Sequence, residues 1–282
     1  MARRTRRELW RHVLIYAGLA PFVVVAVFPV FWMTITAFKS DADLYRMDQI
    51  PIWFHSGPTL DHFRLLFRHS HFLAWFVNSA LLAVCLVVIT LVTAVPAAYA
   101  LARLRLPGAG NLGIAMFMTY LVPPTVLFLP LARVVGALGL FDSWWALVVV
   151  YPTFTIPFCT WMLMGFFKTL PREIEEAAWL DGCGLAGGVL RVVLPLTGHG
   201  VAIAAIFTFT LAMQDVLYAA VYVSPRDQMT VTVGLAMALI RGDIYYWGSL
   251  MAAGLLVGLP VAILYNVFLD HFIRGLTATG AS

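Results

Sequence analysis

Six long stretches without a charged side chain constrain this chain more than any other feature of its sequence. They contain no Asp, Glu, Lys or Arg, and each is at least 23 residues long: 13–38, 69–102, 106–132, 143–167, 192–214 and 244–269. A helix needs about 20 apolar residues to cross the hydrocarbon core of a bilayer. Helices also satisfy their own backbone hydrogen bonds in lipid. The pattern therefore predicts an all-α integral membrane protein with six transmembrane helices.

The first stretch is too long for the apolar part of a signal peptide. It follows five arginines, Arg3, Arg4, Arg6, Arg7 and Arg11. A signal peptide has an apolar region of about 7–15 residues and then a cleavage site with small side chains. Residues 13–38 fit neither condition, so we expect an uncleaved first span. Only 11% of the residues are charged, against about 25% in soluble domains, which again favours the bilayer as the solvent.

The basic residues between the stretches predict the orientation, because short cytoplasmic segments carry an excess of Lys and Arg. With the N-terminus inside, the cytoplasmic basic residues are the N-terminal arginines, Arg103, Arg105, Lys168, Arg172, Arg191 and Arg274. The first outside segment, 39–70, contains four aspartates: Asp41, Asp43, Asp48 and Asp61. The predicted organisation is a basic cytoplasmic N-terminus (1–12), a six-span domain (13–272) and a cytoplasmic tail (273–282). Both termini are therefore predicted inside, and the net charge of +4 does not indicate nucleic-acid binding.

Prolines interrupt two of the predicted spans. The third contains Pro123, Pro124 and Pro130, and the fourth contains Pro152 and Pro157. Proline lacks a backbone donor and clashes with the preceding helical turn. We therefore expect these spans to be kinked or broken.

The segment 168–197, between the fourth and fifth spans, is too long to be a simple connection. Pro171 is predicted at the first helical position, and the acidic residues that follow it are favoured near a helix N-terminus. Gly182 and Gly184 predict the end of this first helix, and a second short helix is predicted at about 185–193, ending at Leu194-Pro195. Membrane-surface helices prefer Lys and Arg on their polar face. The acidic first helix therefore favours a protein partner over an amphipathic hairpin on the lipid headgroups.

The spacing in this loop resembles the EAA loop of binding-protein-dependent ABC importer permeases. Glu176-Ala177-Ala178 is followed after three residues by Gly182, then after nine by Val192, and after one more by Leu194-Pro195. Valine stands where that family usually has isoleucine. The resemblance implies that Glu176 makes a polar contact with an ATPase, that the two alanines pack closely and that Gly182 forms the turn. The implied coupling residues are Glu175, Glu176, Ala177, Ala178, Asp181, Gly182, Leu194 and Pro195.

Further segments are similar to the carbohydrate, maltose-permease-like branch of the family, and together they extend over nearly the whole chain. They are 78–79, 98–103, 139–140, 165–167, 175–182, 247–253, 259–260 and 272–276. Two departures bear on the substrate and not on the subunit class. Met213-Gln214 stands where the family often has Trp-Asn, and the C-terminus lacks the common Gly-Lys tail.

The resemblance implies a subunit that works in an assembly. The implied partners are a cytoplasmic ABC ATPase dimer, a second related permease, an extracytoplasmic solute-binding protein, a small solute and membrane lipid. The implied location is the bacterial inner membrane. A phosphate-binding loop needs lysine after glycine, whereas Lys39 and Lys168 both follow phenylalanine. We expect no ATPase site, no enzyme activity, no cofactor and no metal in this chain.

Four polar residues are candidates for the solute pathway: Asn78, Gln214, Asp215 and Tyr218. Aspartate within a span is costly, so it usually faces the protein interior or a wet cavity. Asp215 could therefore bind solute hydroxyls, or it could lie near the outer interface and reach water. For Asn78, a buried hydrogen bond between helices is favoured over a role in the pathway.

The sequence predicts import of a sugar or oligosaccharide. Other solutes, such as a polyamine or a phosphorylated polyol, are the first alternative. A self-sufficient channel or secondary transporter would need paired charges within the membrane, and an integral-membrane enzyme would need clustered catalytic groups. The sequence has neither pattern.

Overall fold

The computed structural model describes residues 2–46, 52–104 and 106–279, with side chains described for 10–46, 52–104 and 106–267. Several residues used in the topology prediction lie outside the described residues or side chains: Arg3, Arg4, Arg6, Arg7, Asp48, Arg105 and Arg274. The same holds for the side chains of 272–276 and for the end of the predicted tail, 280–282.

The described chain is helical apart from its connections and one small hairpin. Its first helices are α1 (Ala2–Phe38), α2 (Asp41–Leu44), α3 (Asp61–His69), α4 (Phe72–Arg103), α5 (Ala109–Tyr120), α6 (Pro124–Ala137), α7 (Trp145–Val150) and α8 (Pro152–Thr169). Next are α9 (Arg172–Leu180), α10 (Leu185–Gly188), a π-helical turn (Val189–Val193), α11 (Leu194–Leu196), α12 (Gly198–Gln214), α13 (Leu217–Tyr222) and α14 (Val231–Leu239). The chain then forms β1 (Ile240–Arg241), β2 (Ile244–Tyr245) and α15 (Trp247–Thr279). The two strands pair antiparallel, with Ile240 opposite Tyr245.

Four segments of the described chain are each long and apolar enough to cross a membrane. They are Trp10–Phe38, Phe72–Arg103, Trp145–Thr169 and Trp247–Val267. Two further helix pairs pass the same test together but are sharply bent, by 93° between α5 and α6 and by 82° between Leu185–Leu196 and α12. The chain is thus an all-α multi-pass membrane protein, and the count of six spans, which requires each bent pair to be one span, stays a prediction.

The break in the third predicted span confirms the effect expected from its prolines. Helix α5 ends at Tyr120, and α6 starts with Pro124 at its first position. Pro123 has an extended backbone, with φ −57° and ψ 133°. Because Pro124 disfavours a helical conformation in the residue before it, the chain turns between the two helices.

Two compact units divide the chain: residues 1–70 with 238–258, and residues 71–237 with 259–282. In the first unit, the Asp43 carboxylate accepts hydrogen bonds from the backbone N–H groups of His55 and Ser56, both at 3.0 Å, and from the Ser56 hydroxyl. These bonds, above all the one from the Ser56 backbone, hold the pKa of Asp43 below its usual value. His62 of α3 is buried against the Lys39 carbonyl and Ser249. The predicted outside segment 39–70 is therefore an ordered structure.

The second unit is built around α4, α5, α8 and α12. Small side chains of α4, including Ala94 and Ala98, share a buried cluster with Cys159 and Leu163 of α8 and Ala204 of α12. Small residues let membrane helices approach closely, since van der Waals packing drives their association. This unit contains the whole of the candidate site.

Candidate coupling loop and solute cavity

The first helix of the predicted coupling loop, α9, ends where the sequence indicates but begins at Arg172, one residue after the predicted start at Pro171. Pro171 has an extended backbone (φ −58°, ψ 137°) and precedes the first helical residue. At the other end, Gly182 N–H bonds to Trp179 O at 3.1 Å and Cys183 N–H bonds to Ala178 O at 3.0 Å. This pair of bonds is a Schellman motif. The next-to-last residue of this motif must adopt a left-handed backbone, and Gly182, which occupies that position, has φ +85°.

The residues predicted to couple to an ATPase lie on two faces of the loop. Glu175 and Ala178, three positions apart and hence on one helix face, are buried. Glu176, Ala177, Asp181 and Gly182 are exposed. The exposed face also includes Trp179 and Leu180. Leu180 is 89% exposed. An exposed apolar patch beside acidic groups is typical of a protein-binding surface.

The buried face of α9 is joined to the end of α4 by charged and polar groups. Arg103 Nε lies 2.8 Å from Glu175 Oε1, and both side chains are only 5% exposed. The contact is an ion pair without the alignment of a hydrogen bond. The Tyr99 hydroxyl donates to Glu175 Oε2 at 3.1 Å, and Arg103 Nη2 donates to the Leu170 carbonyl at 2.6 Å. We call Tyr99, Arg103 and Glu175 the loop clamp.

The second helix of the loop differs from the prediction that it ends at Leu194-Pro195. The helical path continues to Leu196, and the bend into α12 follows at Thr197. Leu194 N–H bonds back to Val189 O, five residues earlier, in the π-helical turn. Proline at 195 has no N–H to contribute, but it occupies the first turn of α11, where a donor is not required. Leu194 is half-buried and Pro195 is exposed.

A cavity of about 460 Å³ lies where the third and fifth predicted spans are interrupted. Its lining residues are Tyr120, Leu121, Val122, Pro123, Pro124, Tyr151, Phe154, Leu211, Gln214, Asp215 and Tyr218. Three of the four predicted pathway residues, Gln214, Asp215 and Tyr218, are therefore together at one cavity. The volume of the cavity lies in the range of small-molecule binding sites, and aromatic residues typically line such sites.

Asp215 occupies the break between α12 and α13 and binds several donors. Its Oδ2 atom accepts hydrogen bonds from the Tyr151 hydroxyl at 2.7 Å and from the N–H groups of Tyr218 and Ala219 at 3.1 and 3.2 Å. Aspartate at this position satisfies donors at the start of a helix that have no helical partner. The Tyr218 hydroxyl donates to the Pro124 carbonyl, so the two interrupted spans are joined across the cavity.

Asn78 does not line this cavity. Its Nδ2 atom donates to the carbonyls of Asp227 and Met229 at 2.7 and 3.2 Å. The neighbouring Ser79 hydroxyl accepts the N–H of Val231 at 2.8 Å. The start of α4 therefore fixes the backbone at the beginning of α14. The hydrogen bonds of Asn78 run to the segment that precedes α14, whereas the sequence predicted a bond between two helices.

Sequence reasoning gave Tyr99 and Tyr151 no defined role at a site, and it used Arg103 as a topology signal and as part of the family-like segment 98–103. One signal was available for the ion pair. Arg103 and Glu175 are charged residues predicted at the same membrane face, next to the ends of two spans, and charges in such surroundings are usually paired. No comparable signal pointed to Tyr151, since aromatic residues are common throughout the spans.

Comparison with known proteins places the chain in a family. No family model matches it. It is 33% identical to the inner membrane ABC transporter permease protein YcjP of Escherichia coli over 98% of both chains. It is also 35% identical to the sulfoquinovosyl glycerol transport system permease protein SmoH of Agrobacterium fabrum, over 92% of this chain and 90% of that protein. The chain belongs to the carbohydrate branch of the ABC importer permeases.

Another relative is the diacetylchitobiose uptake permease DasC of Streptomyces coelicolor, with 32% identity over 94% of this chain and 93% of that protein. Among solved structures, the permease resembles a chain of a bacterial ABC transporter involved in alginate import. The TM-score is 0.77 at 19% identity, covering 95% of this chain and 98% of that chain. This similarity supports the fold and, at that identity, nothing finer.

Proposed function

We propose that this permease forms half of the translocation pathway for a neutral sugar or oligosaccharide, driven by a separate ATPase dimer. The observation that carries the proposal is the exposed acidic and apolar face of α9, held in shape by the Gly182 turn. The described chain needs a partner that supplies energy, since neither of its lysines follows glycine. The other proposed partners are a second, related permease and an extracytoplasmic solute-binding protein, such as the periplasmic protein bound in one similar alginate transporter.

The proposed arrangement in the bacterial inner membrane keeps the predicted domains. Residues 1–12 and 273–282 are cytoplasmic, and 13–272 form six spans in which each bent helix pair is one span. The loop 168–197 is cytoplasmic and docks on the ATPase through its exposed residues, Glu176, Ala177, Asp181 and Gly182. In this arrangement the permease has no catalytic site and no cofactor of its own.

The cavity favours a neutral, hydroxyl-rich solute over a cation. Aromatic rings can stack on sugar faces, and Tyr120, Phe154 and Tyr218 line the cavity. The Oδ2 atom of Asp215 already accepts three hydrogen bonds from its own chain, so this oxygen is engaged in holding the break between α12 and α13. Gln214 is exposed there and offers amide groups to hydroxyls. A polyamine carries several positive charges and would need several carboxylates, whereas Asp215 is the one acidic residue among the described residues that line the cavity.

Several relatives are named for the transport of sugars or sugar derivatives, including diacetylchitobiose, maltodextrin and trehalose. These names support a carbohydrate substrate for the present permease. The named substrates differ in size and substituents, so the cavity residues are where we expect the specificity of this chain to be decided.

Co-purification from membranes in mild detergent tests the docking surface. We expect an ATPase with a phosphate-binding loop to co-purify with the wild-type permease and to be lost on Glu176→Lys, which reverses the charge of the exposed face. Asp243→Lys is the matched control, because Asp243 is an exposed acid in the β1–β2 hairpin, predicted on the other side of the membrane. A permease that purifies alone and transports solute alone after reconstitution would contradict the proposal in favour of a self-sufficient transporter.

A further inference from the structure

The loop clamp is the main polar attachment of α9 to a membrane-spanning helix. Only Glu175 and Ala178 of α9 are buried, and apart from them the helix packs on the second part of its own loop, 185–193. Arg103 is the last residue of α4, and Tyr99 lies one turn earlier. The carboxylate of Glu175 is thus held by two side chains from a single span.

A buried ion pair adds little to the folding stability of a protein. Removing two charges from water is costly, and apolar residues of similar volume often stabilise a structure as well or better. Such a pair does hold its two partners together, because removing either one leaves an uncompensated buried charge. This property suits a contact through which a displacement of α9 must displace α4 as well.

The same helix is fixed at its other end. At the start of α4, Asn78 and Ser79 bind the backbone of residues 227–231. The Trp75 ring lies directly against Gly234 of α14, where a Cβ atom would collide with it. Thr232, between these contacts, donates its hydroxyl to the Asp215 carbonyl at 2.7 Å. Helix α4 therefore connects the coupling loop to the segment beside the cavity.

We propose that Tyr99, Arg103 and Glu175 are positioning residues that transmit the movement of the docked loop to α4, and through α4 to the break at Asp215. The proposal rests on the proposed function, because it needs an ATPase on the opposite face of α9. In it, Glu176 faces the ATPase and Glu175 faces the span, so two adjacent acids of one helix have separate tasks. A transmission path of this kind is established by measuring the energetic coupling between its residues.

The test uses the complete transporter, purified with its ATPase and reconstituted with its solute-binding protein. The variants are Arg103→Met, Glu175→Gln and the double variant. We expect each single variant to retain the ATPase subunit and ATP hydrolysis while solute uptake per ATP falls about tenfold. The double variant leaves no unpaired buried charge but still lacks the connection, so we expect its solute uptake per ATP to stay as low as that of the single variants. Tyr99→Phe, which removes one hydrogen bond, should reduce solute uptake per ATP about twofold to threefold.

Arg11→Met is the control, since it removes an exposed charge from α1, outside the clamp. A loss of ATPase subunit, hydrolysis and uptake in equal proportion would overturn the proposal and leave a purely structural ion pair. Single variants with wild-type solute uptake per ATP would overturn it as well. If no ATPase co-purifies with the wild type, the proposed function itself fails, and this outcome is distinct from both.

Discussion

At the scale of single residues, the positions that most affect the coupling loop are decided by backbone geometry and burial. Gly182 is needed because the Schellman motif requires a left-handed backbone. Glu175 and Glu176 are chemically identical neighbours, yet one is buried against Arg103 and the other is exposed. The two residues differ only in the face of α9 on which they lie.

Replacement of Gly182 by alanine tests the turn. A side chain at a left-handed position costs about 1–2 kcal/mol, although nothing lies within 4 Å of the site to collide with it. We expect Gly182→Ala to lower solute uptake several-fold by changing the angle between the two loop helices, without lowering the amount of protein in the membrane. Gly184→Ala should have a smaller effect, because Gly184 has φ −68°. Equal loss in both variants would argue against the backbone explanation.

At the scale of secondary-structure elements, two interrupted spans create the cavity. The α5–α6 break follows from consecutive prolines, whereas the break after α12 has no proline or glycine at Gln214-Asp215-Val216. There, the Asp215 side chain supplies the acceptor that replaces missing helical bonds for Tyr218 and Ala219. In lipid such groups must find partners within the protein, so the carboxylate stabilises the break.

Substitution of Asp215 separates this structural role from binding of a cationic solute. Asp215→Ala removes the helix cap and should cost about 1 kcal/mol of stability, with reduced uptake. Asp215→Asn keeps an acceptor oxygen and should retain most transport of a neutral sugar. Thermal midpoints in detergent and uptake assays measure the two effects. If Asp215→Asn transported no better than Asp215→Ala, at a normal thermal midpoint, a cationic solute would be favoured.

At the scale of the whole molecule, the orientation of the spans determines which surfaces meet which partners. The proposed topology puts the coupling loop inside and the β1–β2 hairpin outside. Cys183 in the loop is half-exposed, while Cys159 is buried in the helical core. The chain therefore contains a natural thiol at the predicted inner surface.

Labelling with a membrane-impermeant maleimide checks this topology. In a background with Cys85 and Cys159 replaced by alanine, we expect Cys183 to react only after the cells are permeabilised. A cysteine introduced as Asp243→Cys in a variant lacking Cys183 should react in intact cells. Both positions are on exposed or half-exposed segments, so a failure of access is not expected from burial. Labelling of Cys183 in intact cells would contradict the predicted orientation.

Much of this architecture follows from local patterns. The uncharged stretches, the prolines at 123–124 and the glycine at 182 act through hydration and backbone sterics, which depend on near neighbours in the sequence. The spacing of the EAA loop is local in the same sense. These features predicted the all-α membrane fold, the break in the third span and the end of α9.

Only the tertiary structure decided which distant residues meet. Arg103 is paired with Glu175, Tyr151 with Asp215, and Asn78 with the segment before α14. Each contact joins elements far apart in the chain, and helical periodicity does not specify which helices become neighbours. The sequence determined where the apolar helices and the two short helices of 168–197 lie, because hydrophobicity and turn chemistry are local. The clamp and the cavity required the packing of α4, α8, α9 and α12, because burial is a property of the assembled helices.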